Sequence, residues 1–363
     1  MPAAIAIAAG GGGDAVSAAM LAAAMPELGV VAIMSYSWDR FMIDPAPGPR
    51  VRADFDGLID RGGVAEIPGT AALLIGQSTL PRLADSIRQP LLLLDAAEGA
   101  AGLAEQMCCA AAVFDASELI VIDVGGDILG EGHEPGLRTP LADSLSLAAA
   151  VQSGIPVRAF VAGPGLDGEL SPAEVHSRLD RLEARQAAVL RPRDALPFNS
   201  IWSWHPSEAN ALLSAAAAGW RGTVQTQRNS AVTLTDNAAN IYEVSARRLV
   251  DSSLASVLLG ATSFEQAERL LRDRRNGRSE LDIERTRSGD RAQARTPSLE
   301  TLDFVDEYVI HAAAEGINAL TIRRVAELVS ATDPAATEAL RELLAHHRPD
   351  NFRPPLYTVD SAS

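Results

Sequence analysis

No lysine occurs anywhere in the chain: all 31 basic side chains are arginine. That absence excludes a P-loop, which needs its lysine on the β- and γ-phosphates, and pyridoxal phosphate chemistry, which needs a Schiff-base lysine. Aromatic residues are only 4% of the sequence, so surfaces that stack nucleic-acid bases are not expected, and the interior must be filled by Ala, Leu, Val and Ile. Positive charge is also scarce, with 31 basic against 47 acidic residues and a net charge of -16. Such a surface repels a phosphate backbone or an anionic bilayer, so neither nucleic acid nor a membrane is an expected partner. The two cysteines, Cys108 and Cys109, are adjacent in an alanine-rich helical stretch where successive side chains point about 100° apart, which disfavours an ordinary disulfide and suits a reducing, cytoplasmic setting. The histidines show no metal-ligand spacing, so zinc is not expected. Long apolar runs are missing as well: the opening MPAAIAIAAGGGGD has no charged leader and meets glycine early, and reads as a first buried strand rather than a signal peptide or a span.

What is present is a strand-helix alternation. Short, two-sided apolar runs at 3–9, 30–34, 72–75, 91–94, 119–124 and 157–162 have the character of parallel strands covered on both faces, with helical patterns between most of them. At 363 residues the chain exceeds what one core usually supports. The expected fold is α/β: a doubly wound, mostly parallel, Rossmann-like ligand-binding domain over 1–195, followed by a smaller α+β and mainly helical region over 196–363. Within the second region, 206–219 reads as a helix and 223–227, 231–235 and 241–244 as short strands. The arginine-rich stretch 272–295 reads as exposed, and the tail from Asn351 as a surface strap.

Four segments carry candidate chemistry. Gly10, Gly11, Gly12, Gly13 and Asp14 follow the first strand and open a helix, where glycine lets backbone N–H groups approach an anion at the positive helix end. The spacing also satisfies G-x-G-x-x-A, but no acidic residue ends the second strand at 34–36 to hold a ribose, which weakens a nicotinamide reading. Asp123-Val124-Gly125-Gly126-Asp127 closes another strand. Paired carboxylates there suit Mg²⁺, and the glycines leave room for phosphate. The loop Glu134–Asp143 supplies Arg138, able to grip a carboxylate or phosphate with two donors, or equally to bridge a neighbouring acid, with Thr139 as a helix cap. Gly163-Pro164-Gly165-Leu166-Asp167-Gly168-Glu169 places two more carboxylates on a ligand-side loop, and Ser171 with Glu174 has capping-box spacing. Asp127, Asp167, Glu169 and Arg138 are therefore the catalytic candidates; Gly10 to Asp14, Gly125, Gly126, Gly163 and Gly165 the cofactor-binding ones; Asp123 and Asp127 the metal ligands.

Taken together, GGGGD, DPAPGPR, DVGGD, EPGLRTPLAD, GPGLDGEL and SELDIERTR, in that order, make the chain resemble the bacterial and archaeal domain-of-unknown-function 1152 family over nearly its whole length. It departs at Thr139, where the resemblance implies Ser, and at 202–204. The resemblance supports the boundaries and the choice of motifs but implies no reaction. A looser similarity to phosphofructokinase-type enzymes, in which Gly-Gly-Asp loops hold nucleotide phosphate and Mg²⁺, is analogy only. The leading expectation is an enzyme of small-molecule metabolism that uses ATP or another nucleotide with Mg²⁺ for transfer or ligation on a small anionic substrate. A nucleotide-independent hydrolase or lyase with paired carboxylates, and a non-catalytic ligand-binding protein, stand as alternatives. Homo-oligomerisation stays open.

Overall fold

A nine-stranded sheet forms the centre of the computed structural model, which describes residues 2–289 and 294–359. Its middle is five parallel strands, β1 (Ala3–Ala8), β2 (Val30–Ser35), β3 (Leu91–Leu93), β4 (Ala116–Val124) and β5 (Val157–Ala162), lying side by side as β5-β4-β1-β2-β3. The order of succession reverses between β1 and β4, so the loops leaving these two neighbours diverge and open a crevice at their carboxyl ends. Alternation along β1 assigns its faces. Ala4, Ala6 and Ala8 lie in one core with helix α1 (Gly12–Ala24), while Ile5 and Ile7 lie in the opposite core with α2 (Gly99–Val113) and α3 (Leu141–Gln152). The small residues on the first face let α1 sit close above the strand from which it springs.

In chain order the strands continue as β6 (Arg185–Val189), β7 (Gly222–Thr226), β8 (Ser230–Leu234), β9 (Asn240–Ser245), β10 (Ala319–Thr321), β11 (Phe352–Arg353) and β12 (Leu356–Thr358). Strands β6 and β9 extend the large sheet beside β5 by antiparallel pairing, and the two-residue strands Ile59–Asp60 and Ala65–Glu66 close its other edge. The rest form a five-stranded second sheet, ordered β8-β7-β10-β12-β11. A third core links it to α8 (Leu299–Ala314) and α9 (Pro334–His347). Among the helices before these are α4 (Pro172–Arg181), α5 (Ala209–Ala217), α6 (Phe264–Arg274) and α7 (Glu280–Gly289).

Four segments differ from the sequence reading. Residues 72–75 are not a parallel strand: Ala72–Leu73 pairs antiparallel with Phe55–Asp56, and Leu74 and Ile75 are 67% and 81% exposed. Apolar character alone could not separate that edge piece from a buried strand. The strand expected at 241–244 belongs to the large sheet, between β5 and β6, so chain beyond 195 completes the first sheet as well as building the second. The tail is no loose strap but the β11–β12 hairpin, joined to β10; residues 360–363 lie outside the described residues. Of the stretch 272–295, residues 290–293 lie outside the described residues, whereas α7 turns Glu280 and Leu281 inward, 3% and 4% exposed. No helix of the described residues is long and apolar enough to cross a membrane.

Candidate active site at the β1–β4 crevice

A cleft of about 130 Å³ lies at the carboxyl ends of β1 and β4, and its walls carry eleven carboxylates against four arginines. Like charges at this density are unfavourable in a buried site unless protons or cations intervene.

The glycine loop forms one side. Gly11 precedes the first turn of α1, and Asp14 in that turn reaches back to accept the Gly10 N–H at 2.7 Å. Asp14 thus holds the loop from within, while Gly11 is the N-cap, and the other Asp14 oxygen accepts from Asn210 Nδ2 at 2.8 Å. Asn210, on α5, also accepts from Ser17. Burial pushes Asp14 up to about 6 despite these hydrogen bonds.

Opposite stand the acids of β4 and α3. Asp123 is the second-last residue of β4, and Gly125 and Gly126 turn the chain immediately afterwards with φ of 117° and 112°. A side chain at Gly125 would come within 2.4 Å of Asp167, so glycine there serves both the turn and the approach of the neighbouring loop. This turn aims Asp127 back toward Asp123. Asp143, in the first turn of α3, completes a triad in which one oxygen from each carboxylate lies within 4.8 Å of the others. All three are buried, and Asp123 Oδ2 and Asp143 Oδ1 have no hydrogen-bond partner. Burial raises Asp123 to about 7, helped by the charge of Asp14. Burial and then the neighbouring carboxylates hold Asp127 and Asp143 well above the usual range.

The loop after β5 adds Asp167 and Glu169, which behave differently. Glu169 is engaged by the backbone N–H groups of Arg138 and Thr139, at 2.5 and 2.9 Å, and by Thr139 Oγ at 2.7 Å. Asp167 takes the Glu169 N–H on Oδ1 but leaves Oδ2 buried and bare; burial, then Glu169, keeps its carboxyl well above the normal value. Arg138 faces the cleft yet lies 3.7 Å from Glu169, the bridging role that the sequence left open. Thr139 does not cap α3, whose N-cap is Pro140; its hydroxyl is spent on Glu169. Gly125, Gly126, Gly163 and Gly165 turn the loops beneath the cleft without lining it; side chains at the last two would meet Leu166 and Pro172.

Several lining residues escaped the sequence reading. Asp143 was visible inside EPGLRTPLAD, where an acid three residues into a helix reads as an ordinary first-turn charge. Glu280 accepts the Leu141 N–H at 2.8 Å and is raised to about 8 by burial and then by Glu284. Glu284 ties Trp38 Nε1 and the Gly48 N–H, at 2.9 and 2.8 Å, so SELDIERTR roofs the cleft by clamping DPAPGPR, itself closed by two Arg50–Asp44 hydrogen bonds of 2.5 and 2.7 Å. The wall made by His205, Ser207 and Asn210 comes from beyond residue 195 and had no recognised spacing.

Fold and site together define a mixed α/β protein with a carboxylate-rich, cation-competent cleft at the carboxyl edge of a mostly parallel sheet. The chain belongs to the family described as protein of unknown function (DUF1152), whose model matches residues 5–288. No curated protein and no solved structure shows significant similarity to it. The matched span contains every residue of the triad and of the glycine loop.

Proposed function

We propose that the chain is a Mg²⁺- and nucleotide-dependent enzyme of small-molecule metabolism, carrying out transfer or ligation on a small anionic substrate in a Rossmann-like crevice. The observation that carries this reading is the buried Asp123–Asp127–Asp143 triad with bare oxygens facing a glycine loop at a helix start. An all-oxygen donor set without histidine or thiolate fits a hard divalent cation and not zinc. An anion entering a cleft so acidic needs a cation to come with it, and a phosphate chain answers both halves of the site, reaching the N–H groups at the start of α1 on one side and the acids on the other. Bound Mg²⁺ supplies charge neutralisation for the phosphate oxygens.

The chain's own groups divide the remaining work. The Gly11–Gly13 backbone orients the ligand, Asp167 Oδ2 is the bare carboxyl placed to accept or return a proton, and Glu169 holds the Arg138–Thr139 turn in position. A nucleotide-independent hydrolase or lyase remains the competing reading, favoured by the same Asp167 oxygen, since a carboxyl held above its normal pKa suits general acid–base work without ATP. Thermal shift with ATP, ADP and NAD, each with and without Mg²⁺, separates the two. ATP with Mg²⁺ should raise the melting temperature beyond either alone, by mass action on the folded state, and Asp123→Asn should remove the joint effect. If no nucleotide stabilises the wild-type chain under any metal condition, the nucleotide reading fails and the hydrolase or lyase takes its place; stabilisation by NAD alone reverses the choice of cofactor.

A further inference from the structure

We propose that His205 Nε2 donates a hydrogen bond to a phosphoryl oxygen of the ligand seated on the glycine loop, from a neutral imidazole whose tautomer is set by the backbone of Ser207. This rests on the phosphate-binding reading above and assigns a residue to it. Nδ1 lies 3.2 Å from the Ser207 N. An amide N–H can only donate, so Nδ1 is the bare nitrogen and the ring proton sits on Nε2. That Nε2 is buried, has no partner, and belongs to a side chain lining the cleft. Its aim is local to the loop: a carbon added to Gly12, the first residue of α1, would lie 3.9 Å from it. A buried donor without an acceptor is unfavourable and calls for a reason.

Aromatic neighbours pack against the ring. Trp202 and Trp204 meet it edge-on at 6.0 and 5.4 Å, and the Arg82 guanidinium covers Trp204 at 4.3 Å. Metal ligation is excluded by the same hydrogen bond, because the nitrogen with a free lone pair faces Ser207 rather than the triad. Burial, with Arg341 and Arg40 nearby, pushes the ring down to about 3, so it stays neutral. Neutrality is useful among so many acids: a cation at this place would be captured by the nearest carboxylate, whereas an imidazole N–H remains available to an incoming anion.

Two measurements test this. Nitrogen-15 NMR of histidine-labelled protein at pH 7 should show His205 protonated on Nε2 and bare on Nδ1; the opposite tautomer or an imidazolium overturns the proposal. Calorimetric titration with inorganic pyrophosphate in the presence of Mg²⁺ should show His205→Phe binding about tenfold more weakly than wild type, the loss expected for one hydrogen bond to a charged group. Titration with Mg²⁺ alone should be unchanged, and His205→Gln, which keeps an N–H donor, should recover most of the difference. Equal pyrophosphate affinity in wild type and His205→Phe overturns the assignment, as does an equal loss in Phe and Gln variants, which marks the ring as packing only. A wild-type chain that binds Mg²⁺ but neither pyrophosphate nor ATP overturns the phosphate reading itself, an outcome distinct from the failure of His205 within it.

Discussion

Buried carboxylates occur in two settings in this molecule, and their electrostatics run in opposite directions. On the far side of the DVGGD turn, Glu134 accepts from the N–H groups of Glu131 and Gly132, each at 2.8 Å, and from the Arg178 guanidinium. Burial raises it, but these backbone hydrogen bonds and Arg178 bring it below its usual value. Glu268 is treated alike: Arg285, Arg272 and Ser279 outweigh its burial. In the cleft, Asp123, Asp127 and Asp143 are at least as well buried but have one another for neighbours instead of arginine. In a chain with 31 arginines, none pairs with the triad among the described residues. Glu134 and Glu268 are given their counter-charge within the chain; the triad is not, and that is the difference on which the proposed cation site rests.

The largest effect should follow from breaking the satisfied side. Glu134→Gln leaves Arg178, 7% exposed, with only the more distant Glu131 at 3.6 Å. Removing one partner of a buried pair costs about 3 kcal/mol, toward the low end of the usual range because Glu131 remains. Urea unfolding should register that loss, while Mg²⁺ binding stays at the wild-type level. A variant as stable as wild type would show that buried pairing is not what separates the two settings.

The same substitution on the unsatisfied side should have the opposite sign. Burial pushes Asp123 up to about 7 and Asp14 up to about 6, above the usual 3.8 of an aspartate, and Glu280 up to about 8, above the usual 4.5 of a glutamate. The folded state therefore binds more protons than the unfolded one through this range, so stability without metal is full below about pH 4 for these groups and falls as pH rises toward 8. Asp143→Asn removes one of the repelling charges. It should stabilise the metal-free protein at pH 8, and by a smaller amount at pH 5, where less of the linkage loss has accumulated. Divalent cation should stabilise wild type more at pH 8 than at pH 5, and the variant less at both. Loss of stability in Asp143→Asn at pH 8 would contradict the repulsion argument.

The same distinction explains how much could be read from the sequence. Strands β1, β2, β4 and β5 were legible because both their faces are covered and their apolar runs are uninterrupted, and the motifs at their carboxyl ends follow from that placement. Residues 72–75 misled because an edge piece can be equally apolar. Asp123 and Asp127 were visible as a pair across two glycines, but Asp143, Glu280 and His205 reach the cleft from positions 16, 153 and 78 residues beyond Asp127. Nothing local marks them: an acid in a helix's first turn, an acid opening an arginine-rich helix and an isolated histidine each have ordinary structural uses. Long-range convergence, set by the β1–β4 crevice, gives them their character, and a single sequence does not display it.

The smallest effect tests whether burial, rather than charge or hydrogen bonding as such, makes the difference. Ser171 and Glu174 form the capping box foreseen from their spacing: Ser171 Oγ accepts the Glu174 N–H at 3.2 Å, and Glu174 accepts the Ser171 N–H at 2.8 Å. Glu174 is lowered by Ser171, as the Arg-paired acids are lowered by their partners, but it sits at the surface. Solvent can replace a lost partner there, so Ser171→Ala should cost about 1 kcal/mol, the usual value for an N-cap, against about 3 for Glu134→Gln. Helix α4 also presses Val175 against the turn at Gly126, close enough that a side chain at Gly126 would lie within 2.9 Å of it. A frayed first turn could therefore loosen the support under Asp127. If α4 acts only as a capped surface helix, Mg²⁺ affinity in Ser171→Ala equals wild type while urea unfolding shows the small loss; if metal affinity falls with it, the cap belongs to the support of the triad, and the boundary between satisfied and unsatisfied acids lies closer to Gly126 than the hydrogen bonds alone indicate.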